Sequence, residues 1–115
     1  MAQAIYAEAN TQSLEAKYGV GYLILNRIKS KRYGNDACDV VYSKGQFIGI
    51  SDMINNRHEP PSTEDLLKTK LIALKVYYKL VTNPVGNSLY FHDDSIDMKH
   101  VWGRKTVTIN NLVFY

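Results

Sequence analysis

The apolar positions in the first third of the chain recur every three or four residues, which is the spacing of helices packed through one face. They predict a helix over residues 2–10 and a longer one beginning after a cap at Thr11 or Ser13. The longer helix contains Gly19 and Gly21, each of which costs about 1 kcal/mol relative to alanine. We therefore expect both glycines to mark close packing against a neighbouring helix.

A further helix is predicted in the middle of the chain. A short helix or turn over residues 36–42 precedes a polar, irregular stretch over residues 43–61. Ser62 then provides an N-cap, and Pro84 is expected to end the helix that follows. Its residues form the apolar stripe typical of an amphipathic helix: Leu66, Leu67, Leu71, Leu74, Tyr77, Tyr78 and Val81.

After Pro84 the spacing changes to that of strands. Residues 89–91 are strand-like, residues 106–109 alternate, and Asn110-Asn111 forms a two-residue turn into residues 112–115. The chain therefore predicts an α+β domain, a helical lobe followed by a small antiparallel sheet, with a cleft between them. At 115 residues it is long enough for one core, so residues 1–115 are expected to form a single domain.

Composition narrows the class of protein only slightly. A net charge of +3 and a sequence pI near 8.9 suit an anionic polymer as partner. No run of like charges and no motif supports nucleic-acid binding, which is not expected. Cys38 stands alone and is expected to be half-buried, without a disulfide. No apolar run is long enough for membrane insertion.

Glu8 is the first candidate for chemistry. It is the one carboxylate among the small and apolar residues Ala4-Ile5-Tyr6-Ala7-Glu8-Ala9, and it lies one helical turn after Ala4 and Ile5. Burial on that side would raise the pKa of the carboxyl group, which suits a general acid near neutral pH. From these residues alone, a surface glutamate remains the alternative.

The segments of the chain, taken in order, resemble the SleB-type cell-wall hydrolases, which include the spore-cortex-lytic enzymes. The resemblance covers nearly the whole sequence. Its matching segments are residues 4–9 (AIYAEA), 22–30 (YLILNRIKS), 38–47 (CDVVYSKGQF), 87–92 (NSLYFH), 101–102 (VW) and 109–115 (INNLVFY).

The resemblance implies a lysozyme-like, two-lobed α+β domain and a lytic transglycosylase that cleaves the MurNAc–GlcNAc β-1,4 bond of peptidoglycan. Its single general acid and base aligns with Glu8, and no cofactor is implied. Breaking a glycosidic bond by hydrolysis usually requires a second carboxylate. A muramidase that uses Asp52 or Asp94 in this way is therefore an alternative, and a non-catalytic wall-binding module is another.

Further residues are candidates for holding the glycan. Gln46 is a candidate for the N-acetyl group, with a structural role in its loop as the alternative. Tyr90 and His92 alternate on one face of the predicted strand and could line the cleft wall. Asn26-Arg27 is expected instead to tie its helix to the next loop.

Two departures from the family pattern affect the interpretation. The family commonly continues Ala-Arg-Gly-Glu-Pro after its catalytic glutamate, and Gln12 stands at the position of the second carboxylate. Gln12 can hold a sugar hydroxyl or the backbone by hydrogen bonds, but it cannot titrate. The histidine of the family's C-terminal Gly-Asn-His-Val-Phe-Tyr is Leu112 here.

The expected partner is therefore the peptidoglycan strand, bound by a monomer without a metal. The run His92-Asp93-Asp94 with Asp97 and His100 meets no zinc or EF-hand spacing and is interpreted as a solvated loop. No export signal opens the chain. We therefore expect either a protein made in the cytoplasm or a processed or excised domain. With the resemblance, the first expectation suggests a protein that reaches the wall through a phage, by a separate membrane pore or within the particle.

Overall fold

The computed structural model of the protein describes residues 1–32, 34–41, 62–93 and 106–115. The α+β class and the order of elements are as predicted. The elements are α1 (Ala2–Ala9), α2 (Leu14–Ser30), α3 (Ala37–Val41), α4 (Thr63–Tyr77), β1 (Phe91–Asp93), β2 (Val107–Ile109) and β3 (Leu112–Phe114).

The central helix is α2, and it begins where the sequence predicts. The Ser13 side chain accepts a hydrogen bond from the backbone N–H of Ala16 at 3.2 Å, which caps the first turn. Val20, Leu23 and Ile24 are fully buried, and they form the middle of the core together with Ile5, Val40, Val76, Val85 and Phe114.

The two glycines of α2 allow close approach, as predicted, but to two different elements. A Cβ added at Gly21 would lie 3.0 Å from Val76 Cγ1 on α4. A Cβ added at Gly19 would lie 3.0 Å from Phe114 Cζ on β3 and from Val85 Cγ1. The expected helix packing is therefore found at Gly21, whereas Gly19 packs against the sheet and the segment before it.

Helix α4 begins at its predicted cap, since the Ser62 side chain accepts from the backbone N–H of Asp65 at 3.2 Å. It ends at Tyr77 rather than at Pro84 as predicted. Lys79 takes the left-handed backbone conformation (φ 56°), and the N–H of Leu80 donates to the carbonyl of Lys75 at 2.8 Å. These are the features of a Schellman C-cap, which stops the helix before proline is reached.

The apolar stripe predicted on α4 is largely on the outside of the molecule. Thr69 and Val76 are buried against the core, with Ile72 and Ala73 partly buried beside them. The stripe residues exposed to solvent are Leu67, Leu71, Leu74, Tyr77 and Tyr78. The side that packs inward carries the smaller residues, and α4 approaches α2 closely where Val76 meets Gly21.

The sheet has the order β1-β3-β2, with both pairings antiparallel. Phe91 and Val107 both oppose Phe114, while Asp93 and Ile109 both oppose Leu112. The predicted turn is present, and Asn110 adopts φ 53°, a conformation that asparagine tolerates better than most residues. Leu112 and Phe114 place their side chains in the core.

The expectation for Cys38 is wrong, because its side chain is exposed. Helix α3 instead turns Val40 and, partly, Ala37 towards the core. These two residues are three positions apart and share a face, which leaves Cys38 on the other side. None of the helices in the four described ranges is long and apolar enough to cross a lipid bilayer.

Candidate active site

Glu8 lies at the edge of the buried face of α1. Ala4 and Ile5, one turn earlier, are completely buried, and Glu8 itself is half-buried. Its neighbours in sequence, Ala7 and Ala9, are small, and Ala9 is buried in the core. The position that the sequence predicts for Glu8 is therefore the position observed, while its catalytic role remains a prediction.

Gln12 connects the end of α1 to the β2–β3 hairpin. After Ala9 the chain turns, and the backbone N–H of Gln12 donates to the carbonyl of Ala9 at 2.9 Å. The Gln12 side-chain oxygen Oε1 accepts a hydrogen bond from the backbone N–H of Asn111 at 3.1 Å. The hairpin turn is thereby held four residues along the chain from Glu8.

The segment containing Tyr90 and His92 pairs with the C-terminal strand. The backbone N–H of Tyr115 donates to the carbonyl of Tyr90 at 2.8 Å, which extends the β1–β3 pairing by one residue. Phe91 turns to the core and stacks on Phe114, with ring centroids 5.8 Å apart. Tyr90 and His92 therefore share the opposite face of the strand, as predicted.

Aromatic and cationic groups surround these two residues. His92 Nε2 lies 3.0 Å from the Tyr115 hydroxyl, and their rings stack with centroids 5.4 Å apart. The guanidinium of Arg27 lies 5.9 Å from the centre of the Tyr90 ring. At that distance the cation is attracted to the ring face, so Tyr90 has a defined position on the sheet.

Asn26 and Arg27 hold the segment before β1, a partner that the sequence does not predict. Arg27 is buried, and its Nε donates to the carbonyl of Leu89 at 2.6 Å. Asn26 Nδ2 donates to the carbonyls of Gly86 and Ser88 at 2.8 and 3.0 Å. The pair therefore ties α2 to the segment before β1, some sixty residues later in the chain; the next loop, which the sequence predicts as its partner, lies partly outside the described residues.

The described contacts form a continuous connection from Glu8 to His92. Gln12 follows Glu8 by one turn and binds Asn111, whose neighbour Leu112 pairs with Asp93, the residue after His92. Tyr90 lies farther along the same sheet, beside Arg27. The described candidates thus lie on α1 (Glu8), in the turn after it (Gln12), and on β1 and the residue before it (His92 and Tyr90).

Tyr115 is the residue of this group that sequence reasoning missed. The Asn110-Asn111 turn indicates how β2 and β3 pair, but it carries no information on the register between β3 and β1. Contact between Tyr115 and His92 therefore had no sequence signal beyond the aromatic and apolar character of both segments.

Several sequence candidates cannot be placed. Gln46, Asp52 and Asp94 all lie outside the described residues, as do Asp97 and His100 of the acidic run. Within the described ranges, no group of three or more His, Cys, Asp or Glu side chains is arranged to hold a metal ion.

Comparisons with known sequences and with solved structures point to the same group of proteins. The sequence matches the Cell Wall Hydrolase family over residues 11–115, a range that begins after Glu8. It is 26% identical over 108 residues to the spore cortex-lytic enzyme of Bacillus subtilis, a match that covers 93% of this chain and 33% of that protein. The chain therefore spans about a third of the length of that curated relative.

Two solved structures share the fold. The catalytic domain of the Bacillus cereus SleB protein superimposes with a TM-score of 0.78 at 24% identity, covering 99% of this chain and 84% of that one. The catalytic domain of the germination-specific lytic transglycosylase SleB from Bacillus anthracis gives 0.77 at 22% identity, covering 99% and 88%. The two structures show that the fold is shared, and the family match over residues 11–115 shows that the chain belongs to the Cell Wall Hydrolase family.

Proposed function

We propose that this chain cleaves the glycan strands of peptidoglycan as a lytic transglycosylase, at the MurNAc–GlcNAc β-1,4 bond. The observation that carries the proposal is the half-buried Glu8 beside the fully buried Ala4 and Ile5 on α1. Membership of the cell wall hydrolase family supports the substrate class. The spore cortex-lytic and lytic transglycosylase names of its relatives support the type of reaction.

In the proposed reaction Glu8 acts twice. Its protonated carboxyl group first donates a proton to the glycosidic oxygen, and the bond from that oxygen to C1 of the muramic acid breaks. The resulting carboxylate then accepts the proton of the same sugar's 6-hydroxyl, whose oxygen attacks C1. The products are a 1,6-anhydro-muramic end and a free 4-hydroxyl on the departing N-acetylglucosamine, with no water consumed.

One carboxylate is sufficient for this route, which is why it suits this chain. Glu8 is the only acidic residue in α1 and the turn after it, because position 12 carries Gln12. A hydrolytic route through a second carboxylate would have to recruit Asp52, Asp94 or another acid from elsewhere in the chain. The muramidase mechanism is therefore the second candidate.

The remaining candidates are proposed to hold the glycan. Tyr90 offers an aromatic face for a sugar ring, and His92 is proposed to contact the glycan through its imidazole ring, whose Nε2 lies 3.0 Å from the Tyr115 hydroxyl. Gln12 is proposed to contact the sugar through the part of its amide not used by Asn111. The assignment of Gln46 to the N-acetyl group rests on the sequence alone.

Product analysis tests the proposal directly. Purified peptidoglycan is digested with the protein, and the soluble fragments are analysed by mass spectrometry with and without borohydride reduction. Anhydro-muropeptides, which are 18 Da lighter than the hydrolytic products and resist reduction, are expected on the basis of the water-free chemistry. Reducing-end products would establish the muramidase instead. Wall binding without any release would establish a non-catalytic module.

A further inference from the structure

The outer face of α4 carries a second apolar stripe, on the side opposite the core. Leu67, Leu71, Leu74 and Tyr78 are 62, 53, 52 and 64% exposed. At 100° per residue these side chains lie about 180° from the buried pair Thr69 and Val76. A helix that is apolar on opposite faces is normally buried on both, so this face is suited to being covered.

The spacing of the outer stripe is that of a coiled-coil seam. Successive members are four, three and four residues apart, which places Leu67 and Leu74 at d positions and Leu71 and Tyr78 at a positions. The seam runs for three turns, about 17 Å at 1.5 Å per residue. This pattern fits another helix laid along α4.

Lysines flank the seam. Lys68 and Lys75 occupy the e positions and Lys70 the g position. Lys68 lies 3.1 Å from Glu64 in an exposed ion pair, and Lys70 is exposed. Lys70 and Lys75 therefore give the middle of the rim a positive charge, whereas Lys68 shares its charge with Glu64.

The lysines disfavour pairing between two copies of this chain. In a parallel pair, each g position faces the following e position of the other helix, which brings Lys70 opposite Lys75 of the second copy. In an antiparallel pair, e positions face each other, which brings Lys68 opposite Lys75 of the second copy. Like charges at these positions select against the pairing, whereas carboxylates there would select for it.

A groove adjoins the seam on its Lys70 side. It has a volume of about 330 Å³, and its walls include Ala37, Ala73, Leu74 and Tyr77. It is lined by none of the site residues Glu8, Gln12, Tyr90 and His92. A large apolar side chain projecting from a helix on α4 could occupy it.

We propose that the outer face of α4 is a docking surface for an acidic amphipathic helix, one with an apolar seam flanked by Glu or Asp. The surface is separate from the candidate active site and is independent of the proposed reaction. The proposed occupant is a helix of this chemistry and not a second copy of this chain, because the charges that exclude a second copy are those that attract a carboxylate-flanked helix.

A titration followed by NMR tests the proposal with a defined probe. The probe is a 21-residue peptide with leucine at a and d and glutamate at e and g, which its own charges keep from self-pairing. The control peptide carries lysine at e and g. Added to the ¹⁵N-labelled protein, the acidic peptide is expected to shift amide signals within residues 67–78, with affinity at least about tenfold above that of the control.

Two variants make the test specific. Leu71→Gln with Leu74→Gln is expected to abolish the shifts, while Leu14→Gln, at an exposed leucine of α2, is expected to leave them unchanged. Lys70→Glu with Lys75→Glu is expected to reverse the preference in favour of the lysine peptide. Matching melting temperatures confirm that the variants are folded.

Three results would overturn the proposal. The first is the absence of shifts in α4 at millimolar acidic peptide. The second is a wild-type dimer in analytical ultracentrifugation that Leu71→Gln with Leu74→Gln dissociates, since the occupant would then be a second copy. The third is binding to phosphatidylglycerol vesicles that the same double variant abolishes, with no response to the peptide.

Discussion

The side-chain oxygen of Gln12 and the backbone N–H of Asn111, 99 residues apart in sequence, are joined by a 3.1 Å hydrogen bond. The bond attaches the segment immediately after Glu8 to the hairpin turn. Position 12 is also where the resemblance drawn from the sequence implies a second family carboxylate. An amide oxygen and a carboxylate oxygen can both accept from a backbone N–H, so this chain keeps the acceptor while losing the charge.

Removal of this acceptor is expected to affect both stability and turnover. Gln12→Ala should lower the free energy of unfolding by about 1 kcal/mol, the net value of a typical hydrogen bond. It should also lower kcat on peptidoglycan, since α1 would no longer be held to the hairpin. Gln12→Glu retains an acceptor and should remain within about 0.5 kcal/mol of the parent. Urea unfolding and initial rates of glycan release measure the two effects. Equal stability and equal rates of Gln12→Ala and Gln12→Glu would contradict the role of Gln12 as the acceptor for Asn111.

The buried guanidinium of Arg27 is expected to be the strongest link between α2 and the strand segment. Arg27→Met removes the donor to the Leu89 carbonyl and the cation beside the Tyr90 ring. It should lower the free energy of unfolding by about 2 kcal/mol, because a part-buried carbonyl loses its charged donor. Arg32→Met, at an exposed position, serves as the control and should change stability by less than about 0.5 kcal/mol. A loss of stability of similar size in Arg27→Met and Arg32→Met, measured by urea unfolding, would contradict the role of Arg27 as a link between α2 and the strand segment.

Gly21 and Val76 set the distance between α2 and α4. A Cβ at residue 21 would meet three Val76 carbons at 3.0 to 3.3 Å. Overpacking of this kind costs about 1–3 kcal/mol, which exceeds the gain of about 1 kcal/mol from replacing a helical glycine by alanine. Gly21→Ala should therefore destabilise the protein, and adding Val76→Ala should recover part of that loss. A double-mutant cycle from thermal or urea unfolding measures the coupling, and simple additivity would argue against close contact.

Lys79 terminates α4 in a conformation that favours glycine. Lys79→Gly should raise the free energy of unfolding by about 0.5 kcal/mol, since relief of left-handed strain exceeds the added entropy of the unfolded chain. Lys70→Gly places the same residue in the exposed middle of the helix and should lower stability by about 1 kcal/mol. Thermal unfolding should thus show that Lys79→Gly stabilises the protein and that Lys70→Gly destabilises it. A change in stability of the same sign in both variants would contradict the left-handed cap at Lys79.

The sequence predicts local features well and long-range ones poorly. Ser13 and Ser62 were identifiable as caps because each serine bonds to a backbone N–H only three residues later, so the cap is a local feature of the sequence. The end of α4 was missed because Lys79, unlike glycine, gives no signal of a left-handed cap. The inward face of α4 was missed because a helix with apolar residues on both sides does not specify which one packs.

In the candidate site, too, local positions could be predicted from the sequence and long-range contacts could not. Glu8 could be located at the edge of the core from its spacing to Ala4 and Ile5, since all three lie on one helix. The bond between Gln12 and Asn111 could not be anticipated, because it depends on how the hairpin docks against α1. The stacking of His92 on Tyr115 similarly depends on a strand register that the sequence does not encode locally.

The most direct measurement of the central claim compares Glu8→Gln with Glu15→Gln in the release of muropeptides from purified peptidoglycan, followed by mass spectrometry. Glutamine preserves the size of the side chain but cannot donate and recover a proton, so Glu8→Gln should lower the rate by at least about a hundredfold. Glu15, on the exposed side of α2, should tolerate the same change without loss. Both variants should bind the wall and melt within a few degrees of the parent. Full activity of a folded Glu8→Gln variant would show that Glu8 is not the general acid.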